Sequence, residues 1–180
     1  MQKLNQSAPK VEPGIHLNIG CGDKYWDGFV NIDFKDNWCK IKPDIACDIR
    51  KIDLPDDYAD SAYAIHVIEH FHRWEAESVL REWIRVLKPG GKMILELPCL
   101  DKIIGLANHY IGLRKPLDPR MVMFALYGDP IYENPDMMHK WSYTRHEFTK
   151  LMMDAGFSQV EYQEPRYHVQ VRDMRMIGTK

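Results

Sequence analysis

One stretch of the chain changes its hydrophobic period twice, and this constrains the fold more than any other feature. Ala62–Val67 is a short run of small and apolar residues, typical of a strand that is buried on both faces. In the next segment the apolar positions follow a helical stripe, with Trp74 and Trp83 predicted in the core, and a Pro-Gly-Gly run at 89–91 ends the helix. A second buried strand, "KMILELP", follows. Strand, helix and strand in this order predict a right-handed crossover in a parallel sheet.

The rest of the chain supplies further strands and a second well-marked helix. A T-x-x-E sequence from Thr144 to Glu147 is typical of a capping box at a helix start, and Gly156 would end that helix. Two alternating stretches after it predict two final strands, of which the second could form an antiparallel edge of the sheet. Three β-prone segments precede residue 60: Ile15–Ile19, Phe29–Ile32 and Asp44–Cys47. The pattern predicts an α/β protein.

The segment between the first two apolar runs has the glycines of a ligand-binding loop, but it is short. Gly20 and Gly22 would let the backbone turn sharply at the carboxyl end of the first strand, where open α/β sheets bind ligands. Asp33 follows Gly20 by only 13 residues, and Tyr25 stands where a dinucleotide fingerprint has its third glycine. A bound pyrophosphate would have no helix N-terminus to contact here, so adenosine joined to an amino acid fits better than a dinucleotide. An ordinary β-hairpin with a glycine loop is the alternative.

The composition limits the classes of partner. With 180 residues and a net charge of -2, the chain can bury a full core and has no overall basic character that would favour nucleic acid. Its four cysteines form no C-x-x-C pair and no apolar run reaches the length of a membrane span, which predicts a bridge-free cytoplasmic protein that does not bind membranes. Residues 1–14 are polar and predict a flexible lead-in. A monomer and a homodimer are both compatible with the sequence.

Four stretches resemble the class I S-adenosylmethionine (SAM)-dependent methyltransferases, most closely the small type 11-like predicted members, some of which are found near polysaccharide biosynthesis functions. They are "LNIGCGDKYWDGFVNIDF", "DIACDIRKIDLPDDYADSAYAIHVIEHF", "VLREWIRVLKPGGKMILELP" and "HKWSYTRHEFTKLMMDAGF". The resemblance implies a Rossmann-like α/β fold, with a mostly parallel seven-stranded sheet, helices on both faces and an antiparallel last strand. Residues 15–180 would then form a single SAM-binding domain.

The resemblance also implies which residues bind SAM and the product S-adenosylhomocysteine. Asp33 corresponds to the acid that binds the ribose, and Asp48 to the acid beside the adenine amino group, with Ile49 against the ring. His66 stands where the fourth strand ends and its backbone meets the cofactor. The loop that faces the methionine part of SAM corresponds to Asn18, Gly20, Cys21 and Gly22. Two assignments have simpler alternatives, Asp33 as a strand-end cap and Asp48 as a solvated turn residue.

Methyl transfer from SAM mainly requires the protein to align the two reacting groups. SAM carries a good leaving group, so the enzyme mainly has to place the acceptor and the methyl group for in-line attack. If the acceptor is a hydroxyl, a general base helps, and the candidates are His70, His139 and Glu69. Each has a structural alternative in a helix start, in packing or in a backbone hydrogen bond. A metal site that adds His66 and His72 would require a helix already at His66, so the sequence predicts no metal.

Residues 101–140 fit no strand pattern and predict two short helices in an insertion or lid on the acceptor side. The predicted acceptor is a small molecule or a carbohydrate, because "HVIEHF" stands where amino-methylating DNA enzymes carry an N/D-P-P-Y-like motif. Two alternatives remain. One is a non-catalytic SAM-fold binding or scaffold protein that acts through its lid surface, and the other is a nicotinamide-dependent reductase, which the short first crossover disfavours.

Overall fold

The apolar runs of the sequence form the strands of one sheet in the computed structural model, which describes residues 7–34 and 41–180. The strands are β1 (His16–Ile19), β2 (Val30–Asp33), β3 (Ile45–Ala46), β4 (Ala59–Ile65), β5 (Leu87–Pro98), β6 (Gln159–Gln163) and β7 (Asp173–Thr179). The helices are α1 (Arg73–Arg85), α2 (Leu100–Gly112), α3 (Met123–Tyr127) and α4 (Arg145–Ala155). Short 3₁₀ turns cover Ile68–His70, Pro130–Tyr132 and Pro135–Met137.

The seven strands form one sheet with the strand order β3-β2-β1-β4-β5-β7-β6. Neighbouring strands from β3 to β5 pair in parallel, and β7 runs antiparallel to both β5 and β6. The seven-stranded, mostly parallel sheet with an antiparallel last strand is confirmed. The β-hairpin alternative for the first two apolar runs is wrong, because β1 and β2 pair in parallel with Leu17 opposite Val30.

The helix between β4 and β5 forms as predicted, with one correction. Trp83 is fully buried, and its indole N–H donates to the carbonyl of Ile49 at 2.9 Å. Trp74 was also predicted in the core, and this is wrong, because its side chain is 76% exposed and stacks on the ring of His72. The two tryptophans are nine residues apart, which places them on opposite sides of a helix with 3.6 residues per turn.

The second predicted helix, α4, uses half of the expected capping box. The Thr144 hydroxyl accepts a hydrogen bond from the N–H of Glu147 at 3.1 Å. The Glu147 carboxylate bonds to Arg73 at 3.0 Å and to the indole of Trp141 at 3.3 Å. Gly156 ends the helix with a φ of +115°. The Glu147 side chain therefore joins α4 to α1 and to the end of the insertion.

The two faces of the sheet are covered in different ways. α1 and α4 pack on one face, and their buried side chains join the main core. The other face carries an aromatic cluster, in which Trp26 lies edge-on to Phe29 and Tyr63 with ring centroids 5.2 and 5.7 Å apart. The buried members of this cluster are Trp26, Phe29, Tyr63, Ile94 and Tyr167. None of the described helices contributes a residue to it, because the short connection after β1 leaves no room for a helix.

The predicted insertion has a small core of its own at the carboxyl edge of the sheet. Ile103 of α2 packs with Val122 and Ala125 in a cluster separate from the main core. Of the predicted lead-in, residues 1–6 lie outside the described residues, as does Cys39. Within the described ranges, no helix is both long enough and apolar enough to cross a membrane.

Candidate functional site

The glycine loop (residues 20–28) is held in a conformation that favours glycine. Gly20 has a φ of +67° and Gly22 of +55°, in the left-handed region, which costs other residues about 1–2 kcal/mol. A Cβ atom on Gly20 would also lie 2.6 Å from Cγ2 of Val67. The N–H groups of Gly20 and Cys21 both donate to the carbonyl of Ile32, at 2.8 and 3.1 Å. The loop is therefore folded back on the end of β2.

Asp33 contacts the glycine loop from the end of β2. Its Oδ2 accepts a hydrogen bond from the N–H of Gly22 at 2.6 Å, and its Oδ1 accepts one from the N–H of Phe34 at 2.7 Å. Each carboxylate oxygen has two acceptor positions, and the side chain is only half-buried. Asp33 can therefore hold the loop and still accept hydrogen bonds from a ligand. The structure brings the loop and this acid together.

Asn18 belongs to a buried polar network beneath the glycine loop. Its side-chain amide donates to the carbonyl of Lys24 at 2.8 Å and to Oδ1 of Asn31 at 2.9 Å. Asn31 in turn accepts from the N–H of Trp26 and donates to Asp44. This network fixes the turn that replaces the usual helix. Sequence reasoning missed Asn31, although a buried asparagine within an apolar strand is a recognisable signal.

Asp48 and Ile49, in the segment after β3, differ in burial and in their contacts. Ile49 is buried, whereas the Asp48 carboxylate accepts hydrogen bonds from the guanidinium of Arg50, at 2.7 Å from Nη2 and 2.9 Å from Nε. Hydrogen bonds from Arg50 outweigh partial burial and lower the pKa of Asp48. The carboxylate is ionised near neutral pH, and its Arg50 contacts would compete with any ligand.

His66 ends β4 in an unusual conformation and lies between two carboxylates. Its φ is +57°, and its N–H donates to the carbonyl of Glu96 at 2.7 Å. On one side, Nδ1 lies 2.8 Å from Oε1 of Glu69, and on the other, Nε2 lies 3.3 Å from Oδ2 of Asp173. Burial opposes the charged ring, but these two carboxylates outweigh it and raise the pKa of His66 to about 9.

The Glu69 side chain is 1% exposed, although it carries a carboxylate. It stands in the 3₁₀ turn Ile68–His70, directly after β4. Burial alone would raise its pKa, but the neighbouring imidazoles, above all His66, lower it. The carboxylate therefore stays ionised inside the protein, where a charge without partners would be strongly unfavourable.

The insertion places His139 and His70 beside Glu69. The N–H groups of Lys140 and Trp141 donate to the backbone carbonyl of Glu69, at 2.7 and 3.3 Å. Nε2 of His139 lies 3.9 Å from Oε1 of Glu69, and its ring meets that of His70 edge-on, with centroids 4.9 Å apart. Burial lowers the pKa of His70. The structure thus brings together all three predicted catalytic candidates, Glu69, His70 and His139.

Sequence reasoning missed the residues that complete this cluster from the other end of the chain. Asp173 is fully buried at the start of β7 and accepts hydrogen bonds from His168 at 2.7 Å and from Arg172 at 3.0 Å. His168 and His66 lie with ring centroids 3.8 Å apart, and burial lowers the pKa of His168 to about 4. An aspartate and arginines within the alternating final strand are the signal that could have found them. The imidazole–carboxylate cluster is hereafter His66, Glu69, His70, His139, His168 and Asp173.

Two sites thus share the carboxyl edge of the sheet. The glycine loop and Asp33 follow β1 and β2, and they offer a tight backbone and a carboxylate to a ligand with hydroxyl groups. The imidazole–carboxylate cluster follows β4 and can accept or hold protons, because it combines ionised carboxylates with several imidazoles. The carboxyl edge is where open α/β sheets bind ligands.

A family model described as a methyltransferase domain matches residues 17–95, the segment that holds the glycine loop, Asp33 and part of the cluster. A ubiquinone/menaquinone biosynthesis C-methyltransferase of Chromobacterium violaceum is 26% identical over 132 residues. That match covers 68% of this chain and 49% of the relative, so the chain spans about half the length of the curated relative it matches.

Solved structures show the same fold at low identity. A SAM-dependent methyltransferase of Thermotoga maritima aligns with a TM-score of 0.61 and 16% identity, covering 94% of this chain and 84% of that one. A protein of Pyrococcus horikoshii aligns at 0.63 and 18%, covering 93% and 82%. Human N-acetylserotonin methyltransferase, solved in complex with SAM, aligns at 0.58 and 16%, covering 92% and 47%. At these identities the alignments establish the fold and leave the activity to the residues of the site.

Proposed function

We propose that this protein is a class I SAM-dependent methyltransferase and that it methylates a hydroxyl group of a small-molecule or carbohydrate acceptor. The match of residues 17–95 to a methyltransferase domain and the shared fold support the proposal. One observation carries the proposal: the glycine loop with Asp33 and the imidazole–carboxylate cluster lie at the same edge of the sheet. The first offers a nucleoside site and the second offers bases for an acceptor. The sequence has no C-x-x-C pair, which suits a reducing compartment, so we infer a cytoplasmic location.

The residues around the glycine loop fit SAM better than a dinucleotide. No helix begins in the described residues 20–29, so a pyrophosphate would find no helix N-terminus there. Gly20 and Gly22 allow the backbone to approach a ligand closely, and Asp33 has acceptor positions left for two ribose hydroxyls. When bound, SAM supplies a methyl group on a positively charged sulfur that leaves as a neutral thioether. The chain's own task is to bind, orient and accept a proton.

Asp48 would have to change partners to bind the adenine amino group. Its carboxylate forms hydrogen bonds with Arg50, and Arg50 also reaches Glu75 at 3.3 Å. A guanidinium shared between two carboxylates can stay bound to Glu75 while Asp48 turns to a ligand. Ile49, which is buried beside it, needs no such change. We therefore assign Ile49 to the adenine side, with Asp48 as a partner that competes with Arg50.

His70 is the base that we favour for the acceptor hydroxyl. Its Nδ1 lies 3.2 Å from the carbonyl oxygen of Met138. Because a carbonyl oxygen is only an acceptor, Nδ1 carries the hydrogen of the neutral ring, and Nε2 has the lone pair. Glu69 and His139 lie beside it and would orient or stabilise the ring. The hydroxyl proton would go to Nε2 while the oxygen forms the new bond to the methyl carbon.

A groove of about 490 Å³ in the insertion suits an acceptor of the proposed class. It is lined by apolar side chains that include Tyr127 and Met138, and by acceptor groups that include Glu133 and Asn134. Pockets of this size hold small ligands, with a few polar groups that fix their orientation. Because Met138 also carries the carbonyl that orients His70, the groove lies next to the favoured base.

The first test is calorimetric titration of the purified protein with SAM, S-adenosylhomocysteine and NADH. We expect micromolar binding of the two sulfur nucleosides and none of NADH. Asp33→Ala should weaken SAM binding by at least tenfold, whereas Asp27→Ala, at an exposed aspartate of the same loop, should not change it. Binding of NADH, or equal SAM affinity in Asp33→Ala and the wild type, would refute the cofactor assignment.

The second test follows transfer of a labelled methyl group from SAM to a panel that begins with sugars and nucleotide-linked sugars. Turnover in the wild type and a loss of at least 100-fold in His70→Gln would support the proposal. SAM binding without transfer to any acceptor of the panel would instead favour the non-catalytic binding protein. His146→Gln, at an exposed histidine on α4, is the matched control.

A further inference from the structure

We propose that His66, Glu69 and His139 bind a divalent transition-metal ion, although the sequence predicted no metal. This goes beyond methyl transfer, because the ion would bind whether or not the protein turns over SAM. His66 and Glu69 come from the end of β4 and the turn after it, and His139 comes from the end of the insertion. The site would therefore link the sheet to the insertion.

The three donor atoms are close enough to share one ion. One ligand atom from each residue lies within 4.8 Å of the others. Oε1 of Glu69 is 2.8 Å from Nδ1 of His66 and 3.9 Å from Nε2 of His139. These distances fall on either side of the ~3.3 Å edge of a tetrahedron whose bonds to the metal are about 2.0–2.1 Å long. Small side-chain movements would complete such a geometry.

The Glu69 carboxylate has His66 as a charged neighbour, but neither of its oxygens accepts a well-aligned hydrogen bond from a described residue. Its side chain is 1% exposed, and among the described residues no well-aligned donor forms a hydrogen bond to either oxygen. Nδ1 of His66 is close, but the ring N–H is poorly directed toward Oε1. Buried carboxylates are normally paired with hydrogen-bond donors or coordinate metals. A metal ion that takes the place of the His66 proton would give the carboxylate a cation that both imidazoles can bind as well.

The two histidines are oriented as metal ligands usually are. Nδ1 of His139 lies 2.9 Å from the carbonyl of Ala125, which leaves Nε2 with a lone pair that faces Glu69. Nε2 of His66 lies 3.3 Å from the Asp173 carboxylate, which leaves Nδ1 on the Glu69 side. Metal-bound histidines almost always give their second N–H to a carbonyl or a carboxylate in this way.

Asp173 acts as a positioning residue for His66 and not as a ligand. A second group of possible donors, His66, His168 and Asp173, also lies close together. The Asp173 carboxylate, however, already accepts hydrogen bonds from His168, from the N–H of Val169 and from Arg172. Both of its oxygens therefore accept hydrogen bonds, whereas neither oxygen of Glu69 accepts a well-aligned one from the described part of the chain. This difference selects the Glu69 side as the ion site.

The donor set favours a transition-metal ion such as zinc over Mg²⁺ or Ca²⁺. Two imidazoles and one carboxylate suit Zn²⁺, Fe²⁺ or Co²⁺, whereas Mg²⁺ and Ca²⁺ prefer oxygen ligands alone. Three protein ligands leave one position of a tetrahedral site open. If the proposed function holds, that position would take an oxygen of the acceptor, next to His70. This last statement alone rests on methyl transfer.

The test uses the 180-residue protein without a histidine tag. The protein is stripped with a chelator and titrated calorimetrically with ZnCl₂ alone. We expect one Zn²⁺ per chain with micromolar or tighter affinity, confirmed by elemental analysis after dialysis. Binding of Co²⁺ should give the visible absorption bands of a four-coordinate site. Titration with MgCl₂ should show no binding, since the donor set includes nitrogen.

Substitutions of the proposed ligands test whether these residues bind the ion. His139→Gln and Glu69→Gln should each weaken Zn²⁺ binding by at least tenfold, whereas His109→Gln and His146→Gln, at exposed histidines, should leave it unchanged. The proposal is overturned if the wild type binds no stoichiometric Zn²⁺, or if His139→Gln, folded by circular dichroism, binds it as tightly. SAM titrations are read separately. Zinc without SAM binding would refute only the proposed function, and SAM without zinc binding would refute only the ion site.

Discussion

The glycine loop and the imidazole–carboxylate cluster lie at the same edge of the sheet but are built over very different distances along the chain. The loop is fixed by contacts within one short segment, such as the N–H of Gly22 on Asp33, 11 residues away. The cluster joins His66 to Asp173, 107 residues away. Short segments fold in a way that local sequence specifies, whereas a cluster of distant residues depends on the whole topology. We therefore expect damage to the cluster to destabilise the fold, and damage to the loop to affect the ligand first.

The largest effect should come from Asp173→Asn in the cluster. The substitution removes the charge that His66, His168 and Arg172 share inside the protein, and breaking such a buried arrangement costs about 3–5 kcal/mol. Urea denaturation would measure the free energy of unfolding. Asp154→Asn, which breaks an exposed pair with Lys150, should cost less than about 1 kcal/mol. Equal losses in the two variants would contradict the structural importance of the cluster.

Gly20→Val should give the next largest effect and should act mainly on the ligand. Both the φ of +67° and the contact with Val67 oppose a side chain at this position. The left-handed strain alone amounts to about 1–2 kcal/mol, and the clash with Val67 adds to it. Calorimetry should show a loss of SAM binding of at least 100-fold.

Gly28→Ala is the control for that experiment, because it separates strain from steric contact. Gly28 has a φ of +81° but no neighbour within 4 Å of its would-be Cβ atom. The substitution Gly28→Ala should therefore destabilise the fold by about 1 kcal/mol and keep SAM affinity within a few-fold of the wild type. If both variants lost SAM binding to the same extent, strain and not the contact with Val67 would govern the loop.

Gly128→Ala tests the segment of the insertion that carries His139, again by adding a Cβ atom to a glycine of positive φ. A Cβ atom there would lie 2.5 Å from the carbonyl oxygen of Met137, at a φ of +88°. Because backbone cannot yield as a side chain can, the segment that carries His139 should shift, with an expected cost of about 2 kcal/mol. Zn²⁺ affinity should fall while SAM affinity does not. Gly112→Ala, where the added atom meets open space, is the control.

The smallest effect concerns Glu82, which joins α1 to the segment between the two sites. Its carboxylate accepts hydrogen bonds from Arg85 at 2.7 Å and from the N–H of Ile52 at 2.7 Å. Hydrogen bonds from Arg85 lower the pKa of Glu82, so its stabilising effect is present above the ordinary carboxyl pKa and is lost as the pH falls through the folded value.

We expect the wild type to lose on the order of 1 kcal/mol more stability than Glu82→Gln between about pH 6 and pH 3. Urea denaturation at several pH values would measure the difference. Parallel curves for the two proteins would show that this carboxylate does not contribute to the acid sensitivity of the fold.

The sequence by itself determined the α/β class, the crossover through α1 and the glycine loop. Hydrophobic period identified the crossover through α1, and Gly20, Gly22 and Asp33 are close along the chain, so their contact follows from local geometry. The same reasoning failed at Trp74, where helical spacing identified the helix but not which side faces the core.

Only the tertiary structure decided the composition of the cluster. The sequence singled out Glu69, His70 and His139, but it could not show that Glu69 is buried without aligned donors or that Asp173 orients His66. Those facts depend on β7 pairing antiparallel to β5 and on the insertion folding back over the turn after β4. Local propensity specifies turns and helices, whereas the meeting of residues 66, 139 and 173 is set by long-range packing, which a single sequence does not display.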